Sequence, residues 1–188
     1  MQQDRMDETK RAEAAMDTFP DLGPDHGVLA TLLERMRLAA VLLTVGVVTA
    51  TGIPIQWAAL TLKLPLRRHV PMLYHRILLR LLGVRVKLNG APVRERPLLM
   101  LSNHASWLDI PVLGSLTPLF FVAKSEVSAW PVVGLLAKFQ RTVFVDRQRR
   151  QATGAVNREI AERLPEGDPV VFFAEGTSSD GNPVLPFR

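Results

Sequence analysis

Leu98-Leu99-Met100-Leu101-Ser102-Asn103-His104-Ala105-Ser106-Trp107-Leu108-Asp109 is an apolar run that breaks into polar residues and then resumes an apolar pattern through Gly114. Leu98 to Leu101 reads as a short buried strand, and Leu108 to Gly114 as helix. The alternation continues downstream. Strands are predicted at Leu119–Ala123, Thr142–Val145 and Val170–Phe173, and helices at Pro131–Phe139 and Ala152–Leu164. Strands alternating with helices predict an α/β fold, a mixed sheet flanked by helices. Upstream, Val84 to Leu88 alternates and ends in the turn signal Asn89-Gly90, so a further strand is expected there.

The polar break carries the chemistry. His104 and Asp109 are five positions apart. On a straight helix they would be separated by about 140° and would not meet. They meet if His104 lies in the loop and Asp109 in the first helical turn, with Ser106 at the N-cap and Pro111 just inside the helix. A carboxylate so placed orients the imidazole and stabilises its protonated form, as in the His–Asp half of a hydrolase triad. The substrate's own hydroxyl would then stand where the protein nucleophile usually stands. Ser106-x-x-Asp109 also matches a capping-box variant, in which the pair is structural. Two further polar islands follow apolar strands: Asp146-Arg147 after Thr142–Val145, and Glu175-Gly176-Thr177 after Val170–Phe173. Strand ends are where open α/β sheets bind ligands. Arg147 can grip a phosphate or pair with a neighbouring carboxylate, and Glu175 can equally belong to a solvated turn.

Moving toward the amino terminus, residues 71–83 place apolar side chains at helical spacing with Arg76 and Arg80 four apart. That pattern suits a basic helix on an anionic surface or an ordinary solvated helix face. Leu38 to Leu62 contains no charged residue. About 20 such residues suffice to cross a bilayer. The Gly52-Ile53-Pro54 break favours two short helices forming a shallow hairpin over a single span; a buried core pair is the soluble alternative. No Asp or Glu occurs between Glu34 and Glu95, while Arg35, Arg37, Lys63, Arg67 and Arg68 flank the run. Basic residues on both sides predict that both ends stay cytoplasmic. Residues 1–27 are acidic and broken by Pro20, Gly23, Pro24 and Gly27, which reads as a polar tail without the pattern of a signal peptide. The expected organisation is a tail at 1–30, a membrane-associated helical segment at 31–83 and an α/β domain at 84–188.

The bulk numbers narrow the classes. The 188 residues suffice for one domain with a core, and the formal charge of +5 points to an anionic partner surface. The absence of cysteine excludes disulfides, thiolate nucleophiles and Cys-type zinc sites. His26, His69, His75 and His104 have no metal-ligand spacing, so no metal is expected. No nucleic-acid motif accompanies the basic residues, and no nucleic-acid partner is expected.

Taken together, the blocks resemble the bacterial 1-acyl-glycerol-3-phosphate acyltransferase family, within the wider lysophospholipid acyltransferase group. The resemblance rests on Asn103-His104 with Asp109, on Lys124-Ser125-Glu126, Trp130-Pro131 and Gly134 leading to Val143-Phe144-Val145-Asp146-Arg147, and on Phe173-Ala174-Glu175-Gly176-Thr177. It spans roughly residues 70–188. It implies that His104 is the base and Asp109 its orienter, that Asn103, Ser106, Lys124, Arg147, Glu175, Gly176 and Thr177 bind substrate, and that no cofactor is needed beyond an acyl-carrier-protein or coenzyme A thioester as co-substrate. It also implies a lyso-lipid acceptor and an inner-membrane location with the catalytic domain on the cytoplasmic side. Two departures stand out. Ala174 replaces the usual proline, and Ser178 stands where the family often has an arginine suited to an acceptor phosphate. The second opens the acceptor to a lyso-ornithine lipid, whose head group lacks phosphate. The family's fourth, proline-containing block has no counterpart before Arg188, so the domain is expected to be C-terminally incomplete. A non-catalytic lipid-binding protein of the same fold is the competing expectation.

Overall fold

The computed structural model describes residues 27–91, 93, 95–146 and 152–174. The chain divides into two compact units between Ala40 and Val41, inside helix α1 (Val28–Thr61). The uncharged run is therefore one helix, and the expected break at Gly52–Pro54 does not occur. Pro54 lies within α1, where a proline removes one ladder bond but need not reverse the chain. Reversal comes later, at Lys63 (φ 53). Leu64 N–H reaches Ala59 O at 2.9 Å and Lys63 N–H reaches Leu60 O at 3.2 Å. These two bonds make a Schellman end with Pro65 just beyond it. A helical pair does form, but with α2 (Leu66–Leu81) as the second arm. Thr49 Oγ1 and Tyr74 Oη lie 3.1 Å apart across it, and Val45, Val48, Ile77 and Leu78 line the seam. Among the described residues, the most apolar window of α1 has none of its residues buried, unlike a core helix.

The α2 segment contains the basic, apolar-spaced stretch and also ends in a Schellman motif. Gly83 (φ 72) supplies the left-handed position at no Cβ cost. The expected strand at Val84–Leu88 is not formed. The segment is irregular, and Val86 and Leu88 are exposed. Alternation alone does not make a strand when no neighbour offers a ladder, and the described residues provide none.

The remaining elements follow the expected order: β1 (Leu99–Ser102), α3 (Asp109–Leu116), β2 (Phe120–Lys124), a 3₁₀ turn (Ser125–Ala129), α4 (Val133–Phe139), β3 (Val143–Val145), α5 (Ala152–Arg163) and β4 (Val170–Phe173). The sheet order is β1-β4-β2-β3, and every described ladder is parallel. Parallel central strands are covered on both faces and read as near-continuous apolar runs. Val170-Val171-Phe172-Phe173 is one. On one face Phe120, Val143, Val156, Ile160 and Val170 pack together, bringing in α5. On the other, Leu119, Phe121 and Val171 pack against Met100, Ile110 and Leu113, bringing in α3.

α2 lies against α3 and fixes its far end. Arg76 Nε donates to Ser115 O at 2.7 Å, a cation on the carbonyl end of a helix, where the macrodipole favours it. One residue back on each helix, buried His75 sits on Gly114. A Cβ there would come within 2.6 Å of His75 Cδ2, so glycine is required for the approach. His75 Nε2 is 3.1 Å from Gln140 Oε1, and burial pushes the imidazole pKa below its ordinary 6.5 despite that bond. Gln56 of α1 donates to Arg67 O at 2.9 Å and to Phe139 O at 2.7 Å. Asp168, buried just before β4, receives Arg141 Nη1 at 2.6 Å and lies 3.4 Å from Arg68 Nε.

Candidate active site

Because the four strands are parallel, their carboxyl ends share one edge of the sheet. Ser102 leads there into Asn103-His104, Lys124 ends β2, Val145 leads into Asp146, and Phe173 leads into Ala174. Among the described site residues, Asn103, His104 and Ser106 follow the end of β1 and Lys124 closes β2. Crevices at that edge are where open α/β sheets bind ligands.

The loop from Ser102 to Asp109 is built on a single carboxylate oxygen. Asp109 Oδ2 accepts from His104 Nδ1 at 2.9 Å, from Ala105 N–H at 2.8 Å and from Ser106 N–H at 2.9 Å. Ser106 Oγ in turn accepts from Leu108 N–H at 3.2 Å. The last two contacts are half of a capping box and a variant of the other half: Asp109 reaches back to Ser106 N–H, but Ser106 Oγ takes Leu108 N–H while Asp109 N–H bonds Ser106 O at 3.0 Å, in the turn before α3 begins at Asp109. Dyad and cap therefore use the same atom. The cap holds Asp109 by backbone, and His104 is bonded to the oxygen that the cap has fixed. Donation from Nδ1 places the lone pair of the neutral ring on Nε2, the basic nitrogen of that tautomer. Both side chains are part-buried, at 22% and 29% exposure, enough cover to orient them while leaving the edge reachable.

One contributor had no assigned role in the sequence. The Phe173 ring stacks on the His104 imidazole with centroids 4.1 Å apart and planes at 23°. Phe121 stacks behind Phe173 at 5.9 Å and 9°. The aromatic pair backs the imidazole with the sheet core, and its π face favours a cationic ring. The signal was legible as the last aromatic residue before Glu175, but a strand-end Phe reads first as core. Arg76, which holds the opposite end of α3, was legible only as a surface cation.

The structure brings His104 and Asp109 into direct contact, with Asn103 exposed beside them and Ser106 engaged in the cap. Lys124 is exposed at the end of β2, two strands from β1. Arg147, Glu175, Gly176, Thr177 and Ser178 lie outside the described residues. The chain enters the last of these segments from a defined point: Ala174 N–H donates to Ser102 O at 3.2 Å, extending the β1–β4 ladder by one bond.

Comparisons with known proteins agree on one chemistry. The chain is 46% identical over 157 residues to a lyso-ornithine lipid O-acyltransferase of Brucella abortus (strain 2308), covering 84% of this chain and 59% of that protein. It is 45% identical over 157 residues to the enzyme of the same name from Rhizobium meliloti (strain 1021), covering 84% and 54%. A 1-acyl-sn-glycerol-3-phosphate acyltransferase of Neisseria gonorrhoeae is 40% identical over 101 residues, covering 53% and 40%. The chain thus spans between half and three fifths of the length of the first two relatives. No solved structure matches. The acyltransferase family model matches residues 84–188, more than half of the chain and the whole stretch from before β1 onward, so the chain belongs to the acyltransferase family.

Proposed function

We propose that this chain carries the catalytic centre of an O-acyltransferase that moves a fatty acyl group from an acyl-carrier-protein or coenzyme A thioester to the free hydroxyl of a lyso-lipid. The observation that carries this is the 2.9 Å bond from His104 Nδ1 to Asp109 Oδ2. His104 Nε2 removes the hydroxyl proton as the oxygen attacks the thioester carbonyl. The tetrahedral intermediate collapses with loss of the thiolate, which recovers the proton from the imidazolium. The products are an ester and a free thiol, with no acyl-enzyme. Asp109 holds the ring and stabilises its cationic form through the middle of the reaction.

The acceptor we favour is a lyso-ornithine lipid. Two relatives at 46% and 45% identity carry that name, and Ser178 occupies the position where a phosphate-binding arginine is common in the family. Lyso-phosphatidic acid is the second acceptor to offer. Asn103, Ser106, Lys124, Arg147 and Glu175 to Thr177 are proposed to line the acceptor and donor sites around the shared strand edge. α1 is proposed to hold the protein at the inner membrane. Its length and the absence of buried residues from its most apolar window support that role, and the flanking arginines and lysines support a cytoplasmic catalytic domain. The test is transfer from labelled acyl thioester in membranes carrying wild type or His104→Ala, with both acceptors and both donors offered. Unchanged transfer by the variant refutes the mechanism, and preference for the phosphate-bearing acceptor refutes the assignment of substrate.

A further inference from the structure

The Trp130-Pro131 and Gly134 segment is absorbed neither by the His104–Asp109 chemistry nor by the core. Ala129, Trp130, Pro131, Val132 and Val133 are five consecutive exposed apolar residues, and Leu135 is exposed beyond them. Trp130 and Val132 are 57% and 64% exposed. Such a run is unusual on a soluble surface unless something covers it. Its backbone is also strained. Val132, a β-branched residue, has φ 61 and ψ −59, and Val133 N–H donates to Pro131 O at 2.6 Å. This is a γ-turn of the rare positive-φ kind, a conformation that persists only where the surroundings impose it. The surroundings do impose it. A Cβ on Gly134 would lie 2.5 Å from Ser128 O, so the turn is pressed onto the preceding 3₁₀ turn. Gly134 N–H reaches Trp130 O at 2.9 Å, and Trp130 N–H reaches Val127 O at 3.1 Å. The fold is thus holding apolar side chains outward on a stiff support.

Three observations bear on the kind of surface that would cover them. Between Glu126 and Asp146 there is no acidic residue, while Lys124 and Lys138 are exposed on either side of the run, the arrangement that suits anionic head groups around an apolar insertion. Trp at a polar–apolar boundary is the side chain preferred at bilayer interfaces. Third, the lipid-seeking helix is close in connectivity: Gln56 of α1 bonds the carbonyl of Phe139, at the opposite end of the same α4 whose amino end bears the run, about 10 Å away along a helix of that length. The 3₁₀ turn that supports the run starts at the carboxyl end of β2, the sheet edge that carries His104.

We propose that Ala129–Leu135 is a membrane-inserting wedge, a second lipid contact besides α1, which seats the catalytic edge of the sheet on an anionic bilayer surface. It goes beyond acyl transfer and is tested without turnover. Because the chain has no native cysteine, a single nitroxide label can be placed at Val133→Cys in the full chain, reconstituted in vesicles of phosphatidylethanolamine and phosphatidylglycerol. Leu43→Cys, exposed on α1, is the lipid control. Gly154→Cys, exposed on α5 with open space for a Cβ, is the water control. Matching thermal unfolding to wild type ensures that each variant is folded. The label at Val133 is expected to gain oxygen accessibility and lose accessibility to a water-soluble nickel chelate, following Leu43. A label that follows Gly154 overturns the proposal, as does one shielded from both reagents, which would mean a protein surface or a second copy covers the run. Substituting phosphatidylcholine for phosphatidylglycerol is expected to raise nickel accessibility at Val133 and leave Leu43 unchanged; no change at Val133 overturns the anionic preference.

Discussion

Asp109→Asn separates the two roles that Asp109 Oδ2 combines. Asparagine has nearly the shape of aspartate, and its Oδ1 can take the N–H bonds of Ala105 and Ser106 that Oδ2 accepts at 2.8 and 2.9 Å. The substitution removes the negative charge facing His104. With its carbonyl oxygen on the backbone, its amide faces His104 Nδ1 as a donor or shares one acceptor, so the tautomer with the lone pair on Nε2 loses its support. Removing both functions, as in Asp109→Ala, leaves the backbone donors to water. Because the side chain is 29% exposed, solvent compensates in part, and the cost falls in the capping range of about 0.5–2 kcal/mol. Asp109→Asn is therefore expected to lose well under about 1 kcal/mol. General-base catalysis is worth roughly 10²–10⁴-fold, and transfer by Asp109→Asn is expected to fall by about that factor. The assay pairs labelled acyl transfer in membranes with thermal unfolding by circular dichroism. Transfer within a few-fold of wild type in a folded Asp109→Asn protein would refute the dyad and leave Asp109 as a cap alone.

Three other changes test the support of the site. Burial lowers the His75 pKa below 6.5, so the unfolded chain binds that proton more readily. Its contribution to stability is complete above 6.5 and is lost as pH falls below it toward the folded value; the melting temperature of wild type should drop over that interval more steeply than that of His75→Gln. Gly114→Ala puts a Cβ 2.6 Å from the buried imidazole carbon and is expected to destabilise by roughly 1–3 kcal/mol in urea unfolding; a stability equal to wild type would show that α2 and α3 can slide apart freely. Phe173→Leu removes the ring stacked 4.1 Å from His104, an aromatic contact worth about 0.5–1.5 kcal/mol. The turnover number should fall by about two- to tenfold with KM unchanged and with recovery in Phe173→Tyr, whereas equal activity in both variants would make the stack incidental.

The elements that the sequence made legible are those whose signal is local. Val170–Phe173 reads as a fully buried strand because every position is apolar, and both faces of β4 are covered. The ends that it concealed are set by tertiary fit. α1 ends at Lys63 and α4 at Arg141, both with positive φ, and neither residue advertises a left-handed position as Gly83 does. Lys63 is held in place by Pro65 and the packing of α2, and Arg141 by its ion pair with Asp168. Pro54 misled for the complementary reason. A proline inside a helix removes one ladder bond, but the turns on either side of Pro54 carry α1 through it. In the site, the spacing of His104 and Asp109 allowed both dyad and cap. That they are one arrangement depends on hydrogen-bond directions that no spacing encodes.

The shared atom has a consequence for how the site is held. α3 has eight residues, about 12 Å of helix, too short to be stable on its own. Its amino end is fixed by Asp109 reaching back to Ala105 and Ser106, and its carboxyl end by Arg76 on Ser115 O and by His75 seated on Gly114. A helix pinned at both ends moves as a unit, so the position of the carboxylate that faces His104 is set partly by α2 at the other end. α2 is joined to α1 through the Lys63 turn, and Gln56 adds a bond from α1 to α4. The carboxyl-terminal part of the apolar helix is thereby mechanically continuous with the carboxylate bonded to His104.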